Sequence, residues 1–177
     1  MPNTLNVTTL ATIAGKSVFQ CWALASGFTK SSQQGTVGAE ILQLGNLSNA
    51  SYSILPARFD AGQHTAPNVQ WVVFLSGLAH ITLPNTTLPI SNKTAYATEA
   101  WVAGGAYGTI LATDVAEFSK AGHLTSYPSG EETRVLQIPI EGGEIPAHTV
   151  VDATGPCLHA ELVGRKRALA AGLDELD

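Results

Sequence analysis

Apolar residues along this chain fall in short bursts, some strictly alternating with polar residues and some continuous, each closed by Gly, Pro, Asn or Ser. The bursts include "KSVFQCWAL", "VGAEILQLG", "ASYSILPARF", "QWVVFLSG", "LAHITLP", "AYGTILATDV", "TRVLQIPI" and "AHTVVD". Val, Ile, Thr and aromatic residues dominate them, which is the composition of pleated strands with one or both faces buried. Turn signals such as "PN", "GG" and "PSGEE" recur between them without internal repeats, so the pattern predicts an all-β domain of the sandwich or jelly-roll kind. The tail is different. Leu158, Leu162, Leu169, Leu173 and Leu176 fall at helical spacing among charged residues, predicting a short C-terminal α-helix that packs on the β domain or on a partner chain. The expected organisation is an N-terminal arm over 1–14, the β domain over 15–157 and the helical tail over 158–177.

A length of 177 residues, with 45% hydrophobic and 13% charged, suits one domain with a substantial core. Net charge is −5 and the one basic cluster is Arg165, Lys166 and Arg167, which excludes the electrostatic footprint of nucleic-acid binding. Runs such as "WVVFL" are strand-length and too short to span a bilayer, and the first fifteen residues lack the basic and apolar regions of a signal peptide. The expectation is a protein with neither a nucleic-acid nor a membrane partner.

Two features point to a secretory route over the cytoplasm. Asn6, Asn46, Asn49, Asn85 and Asn92 each open an N-x-[ST] sequon, although turns rich in Ser and Thr also generate sequons freely. Cys21 and Cys157 stand near opposite ends of the chain; they are either a disulfide or two buried thiols, and the bridge is the expectation. Their spacing matches no zinc or CxxC motif.

Chemistry concentrates in "GQHTAPNVQWVVFLSG". Here His64 precedes a proline turn, Gln70 opens an apolar strand, and Gly77 closes it. The spacing resembles the first motif of the cupin family, in which a strand carrying H-x-H is followed by Glu and, after six residues, by Gly. A second motif is similar too: His123 in "AGHLTSYPSGEETRVLQIPI" follows a glycine turn and precedes an apolar strand. The resemblance covers about residues 15–157, and "QWVVFLSGLAHITLP" with "WVAGGAYG" looks like small fungal cupins, some secreted and some serving secondary metabolism. It implies a jelly-roll β-barrel with His64, Gln70 and His123 gathered at its mouth.

Departures from the family pattern bear on the chemistry. Ala66 occupies the second histidine position and Gln70 the glutamate position, so a metal site here would consist of His64, His123 and a neutral amide. Without a carboxylate for charge compensation, such a site would hold at most one weakly bound divalent ion, Fe, Mn, Ni, Cu or Zn. Without metal, two imidazoles and an amide over an apolar interior form an acid–base pocket, one ring serving as base and the other as acid. Strand alternation puts Val72 and Phe74 on the face of Gln70, and Trp71 and Val73 on the opposite face. Arg58 is a candidate for binding a substrate carboxylate, and Tyr127 a candidate for the pocket wall. His80 should face away from the cavity, and His148 and His159 have no partner at ligand spacing and read as structural or solvated; Asp60 and Asp114 sit at turns from which either can approach the mouth, and Glu99, Glu117, Glu131 and Glu132 read as solvated charges.

Three classes of function follow. The first is a non-oxidative enzyme that isomerises, dehydrates, decarboxylates or cyclises a small organic metabolite through His64, His123 and Gln70. The second is a metal-dependent cupin oxygenase using the same residues. The third is a non-catalytic secreted binding cupin. A homodimer is the expected assembly, with the tail helix offering a surface.

Overall fold

The computed structural model describes residues 4–84 and 95–163. Strands in chain order are β1 (Thr4–Ile13), β2 (Lys16–Gly27), β3 (Thr29–Lys30), β4 (Glu40–Ile41), β5 (Ser51–Leu55), β6 (Phe59–His64) and β7 (Gln70–Ser76). They continue as β8 (Leu78–Thr82), β9 (Glu99–Ala103), β10 (Thr109–Ala112), β11 (His123–Tyr127), β12 (Thr133–Pro139) and β13 (His148–Asp152), before one short helix, α1 (His159–Leu162). The all-β expectation holds. Seven strands form a sheet in the order β13-β2-β1-β10-β7-β12-β5, four form a second sheet in the order β6-β11-β8-β9, and neither closes on itself.

Alternation along the strands of the large sheet explains its burial. Leu10, Phe19, Phe74, Ile110 and Val135 share a cluster with Ala79, Ile81, Ala100 and Val102 of the small sheet, so this apolar layer lies between the sheets. The intervening residues Val7, Val18, Trp22, Trp71 and Leu111 form a second cluster on the outer face, beneath Leu42 and Leu44 of the β4–β5 connection. A sheet covered on both faces needs apolar residues at successive positions, which is why "WVVFL" is continuous. Trp71 is fully buried and its indole N–H donates to the Leu44 carbonyl at 3.3 Å. Each such side chain contributes about 1.5–3 kcal/mol of burial free energy.

The N-terminal segment corrects the expected arm. Residues 4–13 are β1, which lies inside the large sheet, antiparallel to β2 and parallel to β10. Its threonines disguise it, yet Thr8 and Thr9 are buried with Val7 and Leu10. Ala14 and Gly15 link β1 to β2 with both φ positive, as a two-residue type I′ hairpin loop requires. The predicted tail helix is seen as α1 alone, tied down by Asn6 Nδ2–H donating to the Glu161 carbonyl at 2.9 Å; the rest of that prediction, 164–177, lies outside the described residues.

Cys21 and Cys157 form the disulfide, with Cα atoms 4.5 Å apart, joining β2 to the segment before α1. Asn46 and Asn49 are exposed, whereas the Asn6 side chain is taken up by its contact with α1. Asn85 and Asn92 lie outside the described residues. Within those residues no helix is long and apolar enough to cross a membrane.

Candidate functional site

One strand pair brings the two candidate histidines together. β6 and β11 are antiparallel with His64 directly opposite His123, and the rings meet edge to face, 4.5 Å between centroids. Gly122 permits this approach: it has φ of 64°, and a Cβ there would strike the His64 carbonyl. Gly77, the motif glycine, is needed for a similar reason, because at φ of 82° its Cβ would collide with the buried Thr133.

His64 and His123 stand at one end of a cavity of about 320 Å³. Its wall includes Gln70, Val72 and Phe74 from β7, with Tyr127 from β11 and Gln137 from β12. The predicted alternation therefore places Val72 and Phe74 as expected, while Trp71 points into the outer cluster. Gln70 is buried, and Ala66, at the second histidine position of the motif, is a buried part of the same wall. Arg58 is not part of it. This residue is exposed at φ of 56° in the turn between β5 and β6, where its backbone N–H donates to the Ser129 carbonyl, so the expected carboxylate ligand does not face the cavity.

Behind His123 lies Asp114, so of the two readings of this residue, local turn or approach to the mouth, the structure takes the second. Asp114 is fully buried, and its Oδ2 accepts a hydrogen bond from His123 Nδ1–H at 2.7 Å. Two features put it there: Thr113, bonded through both its N–H and its hydroxyl to the Leu10 carbonyl, and a parallel bridge between Ala66 and Val115. The same Oδ2 accepts from Ser17 Oγ at 2.7 Å. Ser17 has one hydroxyl hydrogen, so Ser119 donates to Ser17 across 2.8 Å, and Ser119 in turn accepts from the Gly122 N–H. Every hydrogen in this chain points toward the carboxylate. Nothing in the sequence marked Ser17, which is 97 residues from Asp114, or Ser119, which is joined to Asp114 only through Ser17.

These bonds settle the tautomers. His123 gives its Nδ1 hydrogen to a carboxylate, and His64 gives its own to the Gly62 carbonyl at 3.1 Å, which can only accept. In its neutral form each ring therefore carries its lone pair on Nε2. The rings differ in their backing, since only His123 has an anion behind it. His64 is held below the usual histidine range, chiefly because partial burial strips water from its charged form and then because His123 repels a second positive charge; the Gly62 carbonyl and Asp114 oppose this. Burial pushes Tyr127 up to about 12, so its phenol remains a hydrogen-bond donor at neutral pH.

Gln137 escaped the sequence reading, although a polar residue inside the apolar strand "TRVLQIPI" carries the same signal as Gln70. Gln137 lines the cavity, with its Oε1 3.4 Å from Ser53 Oγ.

The remaining polar candidates serve other parts of the fold. His80 faces away from the cavity, stacked on Trp101 with centroids 3.9 Å apart and bonded to Glu99 at 2.7 Å, so Glu99 is not merely a solvated charge. His148 stacks on Trp22 with centroids 3.4 Å apart, and His159 meets Tyr107 edge-on, structural contacts that involve no group at ligand spacing. Asp60 keeps its turn role, its carboxylate accepting from the Gly62 N–H.

As a metal site the cavity provides two imidazole nitrogens and the Gln70 amide, and no carboxylate lines it. A separate trio, Cys21, Cys157 and Glu161, has its ligand atoms within 4.8 Å of one another and could hold a metal, but its two sulfurs are bonded to each other, so thiolate ligation requires reduction. No protein-family model matches the chain, and no curated protein or solved structure matches it either.

Proposed function

We propose that the chain is a cupin-type jelly roll that carries out non-oxidative acid–base chemistry on a small organic molecule, with His123 as the base, Asp114 as its positioning residue and His64 and Gln70 beside it. The observation that carries this reading is the 2.7 Å hydrogen bond from His123 to buried Asp114 at the wall of a cavity open to solvent on the His64 side. A carboxylate in that position aims the ring, selects the tautomer with Nε2 free, and stabilises the imidazolium formed when Nε2 takes a proton. Isomerisation, dehydration, decarboxylation and cyclisation all begin or end with such a transfer. The disulfide suits an oxidising compartment and supports a secreted or secretory protein.

Deuterium exchange from solvent into a panel of charged and neutral carbonyl compounds tests this. The wild type should accelerate exchange in at least one member, and His123→Ala should lose about 10²- to 10⁴-fold of that rate. An entire panel exchanging at the uncatalysed rate would end the reading.

The same geometry favours a second reading, a metal-dependent oxygenase. Histidine ligands usually give their other ring N–H to a carboxylate or carbonyl, as His123 and His64 both do. The donor set His64, His123 and Gln70 fits a divalent ion weakly, being neutral throughout. A bound ion would supply Lewis acidity or oxygen activation there. A stoichiometric metal in protein purified without chelator, with turnover abolished by chelation and restored by one ion, would replace the first reading with this one.

A further inference from the structure

The cavity between the sheets has a property that the acid–base reading does not require. Among the described residues, no Asp, Glu, Lys or Arg side chain is part of its wall. Eight of the lining residues are Leu10, Ala66, Pro67, Val72, Phe74, Ile81, Ile110 and Ala112, and the polar remainder consists of hydroxyls, amides and the two imidazoles. Arg58 is not among the lining residues, and behind the wall the Asp114 carboxylate is bonded to His123.

From this we infer that the site takes an uncharged, largely apolar carbonyl compound with an enolisable C–H, and rejects carboxylates and phosphates, which removes decarboxylation from the reactions above. A buried anion would lose its water with no cation to meet it and with Asp114 nearby; a cation would meet two imidazoles and no anion at the surface of the cavity. A ketone asks only for a hydrogen-bond donor at its oxygen, and the Gln137 amide and the Tyr127 hydroxyl both line the cavity and can each donate. About 320 Å³ suits a fused bicyclic molecule of roughly a dozen heavy atoms.

The chemical step rests on the acid–base reading above. His123 Nε2 takes the proton from the carbon next to the carbonyl, the C–H electron pair becomes the C=C bond, and the carbonyl π pair moves to oxygen, where Gln137 and Tyr127 hold the enolate. The imidazolium, paired with Asp114, returns the proton to the same carbon or to the far end of a conjugated enolate, so nothing is oxidised and no atom is lost.

The test uses the intact, disulfide-bonded protein and four probes of one shape: 2-tetralone, tetralin, tetralin-2-carboxylate and 2-aminotetralin. Binding is followed by NMR of the Gln side-chain amides, and exchange at the tetralone α-carbon in D₂O is followed separately. The expected result is that 2-tetralone binds about 100-fold more tightly than the carboxylate and the ammonium compounds. It should also bind more tightly than tetralin, and Gln137→Met should remove roughly tenfold of the ketone's affinity while leaving tetralin's unchanged. Retained tetralin binding shows that the variant is folded. A carboxylate or ammonium probe binding as well as the ketone, no preference for ketone over tetralin, or no ketone binding at millimolar concentration overturns the inference. Ketone-selective binding without accelerated exchange upholds the substrate class and counts against the acid–base function instead.

Discussion

Replacing Asp114 with Asn removes a charge from a fully buried position with almost no change in shape, which makes it the sharpest test of the site's construction. Oδ2 now accepts from both Ser17 and His123 at 2.7 Å, and Oδ1 has no hydrogen-bond partner among the described residues. The asparagine oxygen can keep both donors, but two hydrogen bonds to an ionised acceptor become two to a neutral one, at a loss of about 1 kcal/mol each. The new NH₂ then falls where Oδ1 was, buried with nothing to accept from it, which costs about 1 to 3 kcal/mol more. The expected destabilisation is about 3 to 5 kcal/mol. At roughly 2 to 4 °C per kcal/mol for a chain of this size, the melting temperature should fall by about 6 to 20 °C. Urea and thermal unfolding measure this, with the exposed charge substitution Glu132→Gln as a control expected to stay within about 0.5 kcal/mol. Nitrogen-15 NMR of the imidazoles gives an independent readout, since weakening the acceptor at Nδ1 should shift the His123 tautomer population toward Nε2–H and leave His64 unchanged. Stability within 1 kcal/mol of wild type, together with an unaltered His123 spectrum, would refute the positioning role of Asp114.

Other perturbations have equally definite outcomes. Reducing the Cys21–Cys157 bridge, whose partners are 136 residues apart, should lower unfolding stability by about 5 kcal/mol by the chain-entropy argument, and denaturation with and without reductant measures it. Because the folded protein holds the His64 pKa below its unfolded value of 6.5, the unfolded chain binds the extra proton first; this contribution to stability is full above pH 6.5 and is lost as pH falls through the folded pKa. His64→Gln should therefore flatten the pH dependence of stability in that acid window, and an unchanged slope would count against it. Gly122→Ala places a Cβ against the His64 carbonyl at a left-handed φ and should separate β6 from β11, seen as loss of the ring-current coupling between the two histidines and a destabilisation of more than about 1 kcal/mol.

Much of the architecture could be read from local pattern. Strand composition and turn residues carried the all-β fold, because a strand's two-residue period and its Gly and Pro boundaries are local properties. The same period placed Val72 and Phe74 with Gln70 on the cavity wall and turned Trp71 and His80 away from it. His64 and His123 were legible as a pair through their motif-like settings, and their side-by-side register in β6 and β11 agrees with that reading. Local pattern failed wherever a residue's role depended on what covered it. β1 looked like an arm because its threonines look exposed until β2 and β10 enclose them. Arg58 looked like a substrate ligand because nothing in the sequence reveals a left-handed turn that holds it outside. Asp114 reads in sequence as a turn residue that can approach the mouth, and its partners Ser17 and His123 are assembled only when two sheets pack. Ser17 is 97 residues from Asp114, and the nine residues from Asp114 to His123 run through an irregular connection with no fixed spacing, so neither hydrogen bond has a local signature; the chain by itself determined its strands, their faces and its two candidate histidines, whereas tertiary packing decided which of them has a carboxylate behind it and that, among the described residues, no charged side chain lines the cavity before them.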